Sequence, residues 1–134
     1  PAARTERMEP LLGSGVGQAT PPPIAVLGTV SLLALFLAGT AHLAARNVLG
    51  DVPASKALAV GLGPALVSVG TELLSLPGGV GILVALAVDG VAIHLLYGQP
   101  RRTSAYITVI HVIITILLGS VLIGGLIVLA TLPG

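Results

Sequence analysis

Four apolar runs, separated by short breaks rich in glycine, proline or charge, make up most of the chain. They lie at about 24–47, 54–74, 80–97 and 104–132, each near or above the roughly 20 residues that a helix needs to cross a bilayer. Small and polar residues recur inside them at steps of three and four, the spacing of one helix face. Ser31, Ala34, Ala38, His42 and Ala45 share a face of the first run, with Leu33, Phe36, Leu37 and Leu43 expected away from it. Ala57, Gly61, Pro64, Ser68, Thr71 and Ser75 share a face of the second, with Glu72 beside it. The third carries two stripes, one of Gly81, Ala85, Asp89 and Ala92 and one of Ala87, Gly90 and His94. The fourth carries Ser104, Thr108, His111, Thr115 and Gly119, with Ile107, Ile110, Ile114 and Leu118 expected elsewhere. Small residues let helices approach where lipid supplies no hydrophobic drive between them. The pattern predicts an all-α, integral membrane four-helix bundle of two antiparallel hairpins over 24–134, with an extramembrane tail over 1–23.

The breaks refine the ends. Pro22 and Pro23 suit a first helical turn, where a missing N–H costs nothing. Gly50 can stop the first helix, and Asp51, Pro53 and Ser55 are turn or N-cap residues. Pro64 removes one hydrogen bond inside the second span, which neighbouring helices can offset. The tail is rich in Gly, Pro and Ser, which discourage regular structure.

Composition strengthens the membrane reading. Only 8% of residues are charged against 54% apolar, whereas a soluble domain carries about 25% charge to cover its surface. The net charge of +1 implies no nucleic-acid partner. The absence of cysteine excludes disulfides, thiolate catalysis and Cys-based metal sites. Arg46, Lys56, Arg101 and Arg102 flank the two loops on one side, and the opposite short loop holds no Lys or Arg. By the positive-inside rule, these cationic anchors mark the cytoplasmic side of the cell membrane and put both termini outside.

Ionisable groups inside the spans are the candidate chemistry. A charge at membrane depth costs about 2.5–3.5 kcal/mol on insertion scales, so it calls for a partner or a function. His42 and His94 fall about one turn inside the cytoplasmic boundary, and Asp89 and His111 about two turns, near 10–13 Å at 1.5 Å per residue. With Thr108 and Thr115 they form a polar intramembrane cluster. Asp89 and His94 are about 140° apart on their helix and are expected to serve different neighbours. Glu72 stands apart near the outer end, where it can reach water or a tail arginine, Arg4 or Arg7.

The segments AHLAARNVLGD (41–51), AVDGVAIHLLY (87–97) and AYITVIHVIITILLG (105–119) resemble small multi-pass membrane proteins of halophilic archaea that carry no assigned activity. The resemblance covers the first, third and fourth spans and implies a four-helix membrane fold without implying a function.

Three functional readings remain open. The first is a non-enzymatic subunit or scaffold, packing with copies of itself or with a larger membrane complex; the polar cluster is then a clasp between helices. The second is a proton- or metal-cation-linked transporter, since imidazoles and a carboxylate bind transition metals and histidine titrates near neutral pH. A metal, if bound, would fall to His42, Asp89, His94 and His111. The third is haem binding through His42 and His94. No cofactor is required by the pattern. No catalytic residue is expected either, because no Ser–Lys or Ser–His arrangement at helix spacing stands out, no paired aspartates occur, and the Gly61-Leu62-Gly63-Pro64 stretch lies inside a span.

Overall fold

The computed structural model describes residues 20–134, so nearly all of the tail, with Arg4 and Arg7, lies outside the described residues. Among the described residues the chain forms four helices and no strand: α1 (Pro23–Leu49), α2 (Ala54–Leu73), α3 (Gly78–Tyr97) and α4 (Arg101–Thr131). Each is long and apolar enough to cross a membrane.

All four helices enter from a proline. Pro22, Pro53, Pro77 and Pro100 hold the N-cap positions in extended conformation, and none of the four ends has a side-chain cap. The pyrrolidine ring presets φ, so the chain turns from extended to helical there without a capping hydroxyl or carboxylate. Of the residues read as turn or N-cap, Pro53 is the N-cap and Asp51 lies in the bend before it, whereas Ser55 falls inside the helix. Entry from a proline also moves two helix starts, α3 to Gly78 and α4 to Arg101, each directly after its proline. Gly50 (φ 82°) and Gly98 (φ 61°) end α1 and α3, with their N–H groups donating to the Arg46 and His94 carbonyls. Both are conformations that a residue with a Cβ adopts only under strain.

The helices form a ring in chain order. α1 packs on α2, α2 on α3, α3 on α4, and α4 closes against α1, most thinly on the α3 side. Glycine sets the closest approach. A methyl group added at Gly61 would stand 2.5 Å from both the Ala34 carbonyl oxygen and the Ala38 nitrogen, so α1 and α2 touch backbone to backbone. At Gly81 the neighbour would be the Thr71 hydroxyl at 2.8 Å, joining α2 to α3.

The core is correspondingly small in volume. Ala41, Ala44, Ala45, Ala57 and Val60 meet Ile93, Tyr97 and Ile107 at the end of the bundle that holds the 50–53 and 98–100 loops. Most of the bulky leucines and isoleucines point outward, as expected where the solvent is lipid. Ile107 was expected off the packed face and is instead fully buried. It is three residues after Ser104 and four before His111, so it lies on their face, and the two buried polar groups flank it.

α1 divides its packing between two neighbours. Ala34 and Ala38 face Gly61 of α2, whereas Leu37 and Thr40 reach His111 of α4. Leu33 and Leu37, expected to lie away from the packed side, therefore line the interior. Beyond Gly119 the rest of α4, Ser120–Thr131, is exposed around its whole circumference.

Candidate functional site

Asp89 and His111 meet in the interior. His111 Nδ1 lies 2.7 Å from Asp89 Oδ2, and both residues are 3% exposed, so lipid and water are excluded from the contact. On the other side of the ring, His111 Nε2 lies 2.9 Å from Thr40 Oγ1 and 3.2 Å from the Leu37 carbonyl oxygen. Thr40 Oγ1 donates to that carbonyl at 3.0 Å and accepts from Thr115 Oγ1 at 3.0 Å. Three helices thus converge on one imidazole. Counted from the loop-side ends Leu49, Tyr97 and Arg101, Thr40, Asp89 and His111 all lie about 12–15 Å along their helices at 1.5 Å per residue.

The contacts fit two proton arrangements. In one, Nδ1–H donates to an ionised Asp89 and Nε2 accepts from Thr40. In the other, Nε2–H donates to the Leu37 carbonyl and Thr40 Oγ1, and one further proton lies between Nδ1 and Asp89 Oδ2. It makes the link either imidazolium and carboxylate or imidazole and carboxylic acid, and the pair is neutral in both forms. Loss of that proton leaves a net negative charge. Asp89 Oδ1 is buried and has no hydrogen-bond partner among the described residues.

This pair forms the floor of a cleft of about 620 Å³ to which all four helices contribute. Ser68, Thr71 and Thr115 line it with Asp89 and His111, and Glu72 joins at the far end. The remaining walls are apolar, among them Leu33, Ile82, Leu86, Val112 and Ile116. The volume falls within the roughly 300–1,000 Å³ of small-molecule sites.

The other candidate residues divide by position. His94 Nδ1 lies 3.4 Å from Ser104 Oγ, which itself donates to the Gln99 carbonyl at 3.2 Å, so His94 is the donor in the first contact. His94 lines a separate groove on the outer side of the α3–α4 contact with Gly90, Arg101 and Thr108. Thr108 donates to the Ser104 carbonyl one turn back on its own helix and does not reach Asp89. Asp89 and His94 were expected to serve different helices. Both instead meet α4, one on each side of it, because the 140° between them straddles a single thin contact. His42 is half-buried and its Nδ1 is without a partner among the described residues. His42, Asp89, His94 and His111 therefore do not gather into one ligand set, and no group of three or more His, Asp or Glu side chains among the described residues is placed to hold a metal ion. Glu72 is exposed, and its expected tail partners lie outside the described residues. Of the loop-side cations, Arg46, Arg101 and Arg102 are exposed, and Lys56 lies over the Tyr97 ring at 5.7 Å, within cation–π range.

Thr40 is the site residue that the stripe pattern missed. It falls between Ala38 and His42, which were placed on one small-residue face, whereas the helix presents Leu37 and Thr40 to a second neighbour. Its depth, nine residues from the end of α1, was the one available signal.

The chain belongs to a family of unknown function (DUF7473), whose model matches residues 19–133. No curated protein and no solved structure matches it.

Proposed function

We propose that this member of DUF7473 is a proton-linked cation carrier of the cell membrane, with its basic loops in the cytoplasm and both termini outside. The carrying observation is the buried Asp89–His111 pair, joined at 2.7 Å beside a cleft that both residues line, with one buried carboxylate oxygen left without a partner among the described residues. A proton held there is exchangeable in a way that a plain helix clasp does not need. With the proton the pair is neutral; without it a charge stands at membrane depth, at a cost of about 2.5–3.5 kcal/mol on insertion scales. A cation entering the cleft offsets that charge, so proton release and cation binding favour one another. The role so proposed is non-enzymatic, since a carrier binds and releases a cation and a proton without making or breaking a covalent bond in its cargo.

The test is proton flux in proteoliposomes with a trapped pH indicator. Na⁺, K⁺, Zn²⁺ and organic cations are each offered against an imposed proton gradient. Cation-dependent flux in the wild type that Asp89→Asn abolishes is the expected result. No flux with any cation, or equal flux in the variant, overturns the proposal.

A second reading is a packing subunit, and one observation favours it. Ser120–Thr131 is apolar, helical and bare on every side, a surface that a second copy or a larger membrane complex would cover. Crosslinking in native membranes through a cysteine at Leu122 tests it; a monomer at all protein concentrations removes it.

A further inference from the structure

We infer that the cation is a lipophilic organic one, which enters the cleft sideways from the bilayer and competes with the proton for Asp89. The inference rests on the carrier reading and adds the substrate class and the route.

The walls decide the class. Small inorganic cations such as Na⁺ or Ca²⁺ replace their hydration shell with several oxygens, six to eight for Ca²⁺. Beside the Asp89–His111 pair, and Glu72 at its outer end, the cleft offers side-chain oxygens only from the hydroxyls of Ser68, Thr71 and Thr115 in an otherwise apolar lining. A soft transition metal is no better served, since only one histidine and one carboxylate meet there. A cation whose charge is wrapped in hydrocarbon needs the opposite arrangement, namely apolar contact over most of its surface and a single buried counter-charge. That is the composition of this cleft.

The route follows from the packing. Ile82 and Leu86 of α3 and Val112 and Ile116 of α4 line the cleft on the side of the thinnest helix contact in the ring. Ile82 is 63% and Ile116 61% exposed, so this side of the cleft lies on the apolar, lipid-facing surface. Glu72, at the outer end of the same cleft, supplies a second carboxylate at the mouth.

The charge balance is one for one. With hydrogen on His111 Nε2, the pair holds one shared proton and is neutral. The cation takes up position at Asp89, the shared proton leaves to bulk water, and His111 stays neutral with its remaining proton on Nε2. The site is again neutral overall, so one proton is released for each cation bound.

The experiment uses tetraphenylphosphonium on the purified full chain in nanodiscs. Binding is read by equilibrium dialysis and proton release by a pH indicator in weak buffer. Expected are saturable binding, close to one proton released per cation, and affinity that falls as the medium is acidified. Asp89→Asn should weaken binding at least tenfold. Ile82→Trp, which obstructs the lipid-facing side of the cleft without touching the pair, should also weaken it and guards against a folding defect in the first variant. Triphenylphosphine oxide, neutral and of similar bulk, should not bind saturably. Failure of tetraphenylphosphonium to bind, equal binding by Asp89→Asn, or equal binding of the neutral analogue overturns the inference. If Asp89-dependent flux with Na⁺, K⁺ or Zn²⁺ persists in that case, the carrier proposal stands and only the substrate class falls. If no cation drives flux, both fall.

Discussion

Thr40 Oγ1 lies 2.9 Å from His111 Nε2 although 71 residues separate them. The contact joins the first helix to the last, and Asp89 on the third holds the opposite edge of the same ring. Removing the hydroxyl by Thr40→Val keeps the side-chain shape and takes away its contacts with Thr115, His111 Nε2 and the Leu37 carbonyl. A loss of about 1–3 kcal/mol in unfolding free energy is expected, as where a buried polar group is left without its partner. Nitrogen-15 NMR of labelled His111 tells the two proton arrangements apart; the carrier proposal expects hydrogen on Nε2 in the wild type, and a bare Nε2 there would contradict it.

The Asp89–His111 link should appear as a coupling energy. In membrane proteins such interhelical terms average about 0.6 kcal/mol and reach about 1.7 kcal/mol. A double-mutant cycle of Asp89→Asn and His111→Gln, followed by detergent-induced unfolding, should give a value in the upper part of that range. The contact is 2.7 Å long and buried on both sides, so a coupling indistinguishable from zero would mean that the pair does not form.

Two glycines in apolar helices should respond in opposite ways. Gly61→Ala drives a methyl group into the backbone of α1, 2.5 Å from two of its atoms. Thermal unfolding should fall sharply, because neither contact is a side chain that can move aside. Gly124→Ala meets nothing within 4 Å and should be neutral or raise stability by about 0.5–1 kcal/mol, the helix preference of alanine over glycine. Comparable losses in both variants would count against the close α1–α2 contact.

Membrane orientation can be read by single-cysteine labelling, since the chain has no native cysteine. A membrane-impermeant maleimide should label Ser75→Cys in intact cells, and Gln99→Cys only after lysis. The reverse pattern would invert the orientation drawn from Arg46, Lys56, Arg101 and Arg102.

The hydropathy of the chain and the helical rise determined a good deal by themselves. Run length and the paucity of charge specify four apolar helices, and the prolines and glycines between them mark where the helices begin and end. A fixed rise of 1.5 Å per residue also puts Asp89 and His111 at one level. These are local properties, and a one-dimensional pattern contains them.

Rotation of each helix about its own axis is another matter, and it was decided only in the tertiary structure. In a soluble bundle the polar side marks the outside, but here the core face and the lipid face are both apolar, so Ile107 inside and Val109 outside look alike in the sequence. Which histidine meets Asp89 depends on that rotation and on the ring order α1–α2–α3–α4. So do the straddling of α4 by Asp89 and His94, the part played by Thr40, and the cleft beside the thin α3–α4 contact. They follow from backbone contact at residues such as Gly61 and Gly81, where the absence of a side chain lets neighbouring helices close and so sets which way every other side chain points.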